Sequence, residues 1–240
     1  LSHPLWQNRR VLNPHLTELA FILDRSGSMG SVADAAIDGF NHFLFTQQTA
    51  PGQARLTLVL FDDEYLVPAS SLPVVEVVPL DHTTYVPRNS TALLDAIGRT
   101  IDELGARLAA LAPADRPGKV IVAILTDGLE NASRHYTWRD VSARIRHQTD
   151  VYQWEFLFLG ANQDAIATAA QLSIAAQNAA TYHADGIGHG AGTAALARKI
   201  TALRPTPGPA TPEDLEAMAA PMQALVQEED GKRRGKRRRK

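Results

Sequence analysis

The chain contains no cysteine among its 240 residues. That absence excludes a disulfide framework and any thiolate zinc site. No apolar run approaches the ~20 residues of a membrane-spanning helix. The opening stretch, Leu1 to Leu16, contains His3, Arg9 and Arg10 and lacks the continuous apolar core of a signal peptide. These absences set the expectation of a cytoplasmic chain with no membrane contact. Because residue 1 is Leu rather than Met, removal of an upstream targeting segment stays open. Internal repeats are also missing.

What is present is ordinary in bulk and uneven in placement. Hydrophobic residues make up 45% and charged residues 21%, a globular balance that excludes disorder throughout. The length suits one α/β domain with a short extension. The net charge of −2 hides a polarised distribution, since eight of the 24 basic residues lie between Lys232 and Lys240. An acidic body thus precedes a basic terminus, which implies a separate electrostatic role or a tail folded back on the body.

Two apolar runs carry the strongest structural signal. Leu19 to Leu23 leads into Asp24, and Lys119 to Leu125 leads into Thr126-Asp127-Gly128. Each fits a strand buried on both faces of a parallel sheet and ending in an acid. Ala33 to Phe45 has helical spacing, Leu56 to Phe61 reads as a second buried strand, and Val74 to Leu80, bounded by prolines, suits an edge strand. A long helix is predicted from Thr91 to Leu111 and ends before Pro113. Beyond the second run the pattern predicts a helix over 138–147, a strand over 154–159, a helix over 163–172, a strand over 181–183 and a helix over 191–203. This alternation predicts a Rossmann-like, doubly wound α/β fold: a mostly parallel central sheet with one antiparallel edge strand and helices on both faces.

Asp24-x-Ser26-x-Ser28 follows the first strand, at the sheet edge where ligands of open α/β folds bind. Thr91 opens the long helix, and Asp127 ends the other buried strand. Together Asp24, Ser26, Ser28, Thr91 and Asp127 offer only oxygen donors, suited to Mg2+ or Mn2+ and not to zinc. Taken singly, each also fits a cap or turn residue. Asp95, one turn after Thr91, reads as a supporting hydrogen-bonding residue rather than a ligand, and Asp62-Asp63-Glu64 as a solvated turn rather than a second cation site. Glu130 and Asn131 fit either the site rim or loop capping. All eight histidines read as ordinary surface or core residues.

These motifs resemble the metal-ion-dependent adhesion site of von Willebrand factor type A domains. The supporting residues are Asp24-x-Ser26-x-Ser28, Ser90-Thr91-Ala92-Leu93-Leu94-Asp95-Ala96-Ile97-Gly98 and Thr126-Asp127-Gly128-Leu129-Glu130-Asn131-Ala132-Ser133. Trp154 to Asn162 is similar to a segment of an intracellular bacterial branch of that family. The resemblance covers about Thr17 to Leu203. It implies that Asp24, Ser26, Ser28, Thr91 and Asp127 hold the metal and that a protein partner supplies an acidic residue as a further ligand. One departure is Asn89-Ser90, where many relatives place Gly-Gly.

Other functions find less support. The chain has no Gly-rich phosphate loop followed by Lys-Ser/Thr, no Gly-x-Ser-x-Gly elbow and no three-glycine dinucleotide turn, so neither a phosphoryl-transfer enzyme nor other catalysis is expected. Lys232 to Lys240 could bind nucleic acid or another polyanion by charge alone, since it has no aromatic residue for base stacking. The expected organisation is an N-terminal extension over 1–16, the domain over 17–203, a Pro-rich linker over 204–212, a short amphipathic helical segment over 213–230 and a basic disordered tail over 231–240. The expected function is a metal-dependent protein-interaction module organising an intracellular bacterial complex.

Overall fold

A computed structural model describes residues 12–161, 164–206 and 208–237. The two apolar runs form its central strands. β1 (Asn13–Asp24) and β4 (Pro117–Thr126) pair in parallel, with Leu19 opposite Ile121 and Leu23 opposite Leu125. Alternate residues enter opposite cores. Leu19, Phe21 and Leu23 join one hydrophobic cluster, while Ala20 and Ile22 join the other. Burial on both faces is why these strands are apolar at every position rather than at every second one.

The remaining strands are β2 (Gln53–Phe61), β3 (Tyr65–Pro73), β5 (Glu155–Ala161) and β6 (Ala179–Tyr182). They complete a six-stranded sheet in the order β3-β2-β1-β4-β5-β6, parallel throughout except for the β2–β3 pair. Chain order reverses between β1 and β4, and their carboxyl ends open the crevice expected at such a reversal. Helices α1 (Ala33–Thr49) and α5 (Gly186–Leu203) contribute to one core. Helices α2 (Leu93–Ala110), α3 (Trp138–Tyr152) and α4 (Ala165–Gln171) contribute to the other. The chain ends in α6 (Pro212–Ala219) and α7 (Met222–Arg237).

Three differences from the sequence reading have physical causes. The antiparallel edge strand is Tyr65–Pro73, not Val74 to Leu80. Val74, Val77 and Leu80 are buried while Val75 and Val78 are exposed, a spacing of three set up by a short 3-10 helix at Val74–Glu76 rather than by strand alternation. At the N-terminus, β1 begins at Asn13, so part of the expected extension is sheet; residues 1–11 lie outside the described residues.

The third difference concerns the C-terminus. The segment expected as a disordered tail is helical through Arg237, and residues 238–240 lie outside the described residues. An acidic stretch one turn earlier supports this helix: Lys232 pairs with Glu228 at 2.7 Å and Arg234 with Asp230 at 2.7 Å, both at the i,i+4 spacing. Asn162 and Gln163, within two expected motifs, also lie outside the described residues. Among the described residues no helix is long and apolar enough to cross a membrane.

Candidate metal centre

Asp24 ends β1 with its side chain fully buried. Its Oδ1 accepts the Ser26 backbone N–H at 2.6 Å, and its Oδ2 accepts the Thr126 hydroxyl at 2.5 Å. Tyr85, itself buried, donates its hydroxyl to the Asp24 carbonyl at 2.6 Å. These contacts hold the carboxylate in one orientation at the sheet edge. Burial raises its pKa, against the lowering effect of the Thr126 and Ser26 hydrogen bonds.

Asp127 follows β4 directly and faces the same crevice. Its Oδ1 accepts the Ser28 hydroxyl at 2.5 Å, and Ser28 Oγ lies 3.1 Å from Ser26 Oγ. Burial, with the Asp24 charge adding, raises the Asp127 pKa to about 6, although the Ser28 hydrogen bond pulls the other way. Neither carboxylate forms an ion pair among the described residues. Arg25, adjacent in sequence, is directed to Asp62 at 3.2 Å and to Glu64 at 3.4 Å.

Thr91 enters from the loop before α2. The Asn131 side chain accepts its backbone N–H at 2.9 Å, and its carbonyl accepts the N–H groups of Asn131 and Ala132. Gly128 marks the convergence. A Cβ there would stand 2.5 Å from Thr91 Oγ1 and 3.3 Å from Ser26 Oγ, so only glycine leaves room between the two hydroxyls. Asp24, Ser26, Ser28, Thr91 and Asp127 therefore gather around one crevice. Among the described residues no group of three His, Asp or Glu side chains could hold a metal, so this donor set is rich in hydroxyls.

Neighbouring acids take structural tasks. Glu130 accepts the Leu94 N–H at 2.9 Å, capping the start of α2, and also the N–H groups of Ala132 and Ser133. Asp95 accepts the N–H groups of Arg134, His135 and Tyr136 at 2.8–2.9 Å. Asp62 is not part of a solvated turn. It is fully buried and bridges Arg25 and Arg88, the latter at 2.8 Å, tying the loop before Thr91 to the end of β1. Asn89 has φ of 56°, and Asn is among the few residues with a side chain that tolerate this left-handed region.

Sequence reasoning gave no role to Thr126, Tyr85 or the Arg25–Asp62–Arg88 network. Thr126 was within a visible motif, and its place beside a buried acid was the available signal. Tyr85 reaches Asp24 across 61 residues, which no local pattern announces.

No protein-family model matches the chain, and no curated protein matches it. Solved structures do. Proximal thread matrix protein 1 from the mussel byssus superposes with a TM-score of 0.52 at 15% identity, covering 81% of this chain and 47% of that one. A von Willebrand factor type A protein from Catenulispora acidiphila gives a TM-score of 0.50 at 14% identity, covering 79% and 43%. The chain spans less than half the length of these solved chains. With the sheet order, the single antiparallel edge and these likenesses in agreement, the chain has the von Willebrand factor type A fold.

Proposed function

We propose that the chain is a divalent-metal-dependent protein-interaction module. Asp24, Ser26, Ser28, Thr91 and Asp127 would hold Mg2+ or Mn2+, and an acidic side chain of a protein partner would complete the coordination. The observation that carries this reading is a fully buried Asp24 and a half-buried Asp127 on neighbouring strand ends, neither with a basic partner among the described residues. Burying acids uncompensated is costly, and a hard cation among oxygen donors removes that cost. The space that Gly128 leaves between the Thr91 and Ser26 hydroxyls fits the same role.

The chain's own residues supply positioning rather than chemistry. Thr126 and the Ser26 backbone orient Asp24, Ser28 orients Asp127, and Asn131 fixes the Thr91 loop. A bound metal would supply an electrophilic position for a carboxylate oxygen. We assign no catalysis to it. The resemblance of the motifs, Trp154 to Asn162 among them, supports a role within a bacterial complex.

The test is a pull-down with Mg2+, with chelator, and with Asp24→Ala. Proteins lost in both controls would then be scanned by Asp→Asn and Glu→Gln replacement. A partner that tolerates every amide replacement would make the metal structural and overturn the carboxylate reading.

A further inference from the structure

The basic residues from Lys232 to Arg237 form the end of a docked helix, and the fold determines where that end lies. Helix α7 starts beside β6, where the Gln223 side chain accepts the Thr181 N–H at 2.9 Å and donates to its carbonyl at 3.2 Å. Met222, Leu225 and Val226 are buried in the core that α5 shares. From there α7 runs antiparallel to α5. Lys199 meets the Ala220 carbonyl, Arg198 pairs with Glu228 at 2.7 Å, the Arg233 guanidinium faces Gly190, and Arg234 reaches Asp185 at 2.9 Å.

Asp185 caps the start of α5, three residues beyond the carboxyl end of β6. The basic end of α7 therefore emerges at the same edge of the sheet as Asp24 and Asp127. Tyr182, the last residue of β6, links the two regions by donating its hydroxyl to the Thr126 carbonyl at 3.3 Å. Two strand steps separate β6 from β4, a lateral offset of about 10 Å at ordinary strand spacing. Lys232 and Arg234 are engaged by acids of the chain itself, whereas Lys236 and Arg237 are exposed with no acidic partner among the described residues.

From this placement we infer that the metal centre and the basic end of α7 form one composite surface for an acidic polypeptide segment. One carboxylate of that segment meets the metal, and further carboxylates along it meet Lys236 and Arg237. This rests on the reading of the site as a carboxylate-accepting metal centre and adds the class of partner: an acidic stretch rather than a single acidic residue. A polypeptide is favoured over nucleic acid because carboxylates serve both halves and the basic segment has no aromatic residue on which bases could stack.

The experiment is fluorescence anisotropy of a labelled oligoglutamate peptide with the full chain. It is run with Mn2+ or with chelator, on the native protein, Asp24→Ala and Lys236→Glu/Arg237→Glu, with a DNA duplex as competitor. Lys236 and Arg237 are exposed, so the double variant is expected to fold, and circular dichroism checks it. The expected result is peptide binding that weakens about tenfold with chelator or Asp24→Ala, and about tenfold with the charge reversal. Free acetate, with one carboxylate, should compete equally well against the native protein and the charge-reversed variant for the metal-dependent part.

Metal-dependent peptide binding unchanged by the charge reversal would overturn the composite surface and leave the metal-centre reading standing. Binding that depends on Lys236 and Arg237 but ignores metal would overturn both. A duplex that displaces the peptide far better than unlabelled peptide does, with or without metal, would overturn the inference in favour of nucleic acid.

Discussion

The Ser28 hydroxyl donates to Asp127 Oδ1 across 2.5 Å, although 99 residues separate the two in the chain. This bond joins the loop after β1 to the end of β4 and closes one side of the crevice. Because Ser28, Ser26 and Asp24 follow one another along that loop, the bond couples the whole Asp-x-Ser-x-Ser segment to the neighbouring strand.

A divalent ion is expected to stabilise the folded chain through that coupling. Binding to the native state alone adds RT ln(1 + [L]/Kd), about 2.7 kcal/mol at ~100 times Kd. Thermal melts with and without Mg2+ or Mn2+ check it. The Asp24→Ala/Asp127→Ala variant should show no metal-dependent rise, and an equal rise in both proteins would remove the metal from this crevice.

Gly128→Ala is expected to damage the site more than the fold. The added methyl would sit 2.5 Å from Thr91 Oγ1, so the Thr91 loop must move away from Ser26. Displacing a positioned donor group costs roughly 10- to 100-fold in metal affinity. The accompanying overpacking should cost about 1–3 kcal/mol in stability. Calorimetric titration with Mn2+ separates the two, since a variant that melts earlier yet binds metal as tightly as the native chain would show that Thr91 is not a donor.

Much of this was legible because burial leaves a mark on sequence. β1 and β4 were visible as unbroken apolar runs since both of their faces are covered, and the acids after them stood out against that background. β3 was hidden. It is a proline-containing edge strand whose residues alternate with solvent, and its identity depends on pairing with β2. Val74, Val77 and Leu80 gave the opposite error, since apolar residues at a spacing of three passed for strand. The five oxygen-bearing residues could be named from motifs, but the Thr126–Asp24 bond spans 102 residues and the Tyr85 contact 61, so the positioning groups had no local signature. The basic C-terminus looked structureless because its charge was read apart from the acids one turn before it.

Stability is expected to fall with acid through His189. This residue lies in α5 with its ring fully buried, edge-on to Tyr182 at 5.7 Å. Burial lowers its pKa from 6.5 to about 4. The unfolded chain therefore binds the proton more readily between these values, so stability rises with pH across the window and is lost as pH falls through it. The full effect below the window is about 3 kcal/mol. Asp24 and Asp127, with raised pKa values, act in the opposite sense over part of the same range. The informative quantity is thus the difference between native protein and His189→Leu in denaturant melts across pH. The variant should lose less stability on acidification, and parallel pH profiles would show that His189 does not titrate on unfolding.

Lys199 is expected to hold α6 in place. Its buried side chain donates from Nζ to the carbonyls of Ala217 at 3.0 Å, Met218 at 2.6 Å and Ala220 at 2.9 Å, the groups that a helix end leaves without partners. The positive charge also lies at the favourable end of the α6 dipole. Lys199→Met keeps most of the apolar stem but strips these carbonyls of their donor, at a cost of about 2–3 kcal/mol. Gln223 and the buried Met222, Leu225 and Val226 anchor α7 independently, so opening should begin in α6 and the segment before it rather than in the sheet. Limited proteolysis reads this directly, with the variant cut faster between Leu203 and Pro221 while the fragment ending at Leu203 survives. Equal cleavage rates in both proteins would mean that apolar contact alone retains α6 and that the lysine is dispensable there.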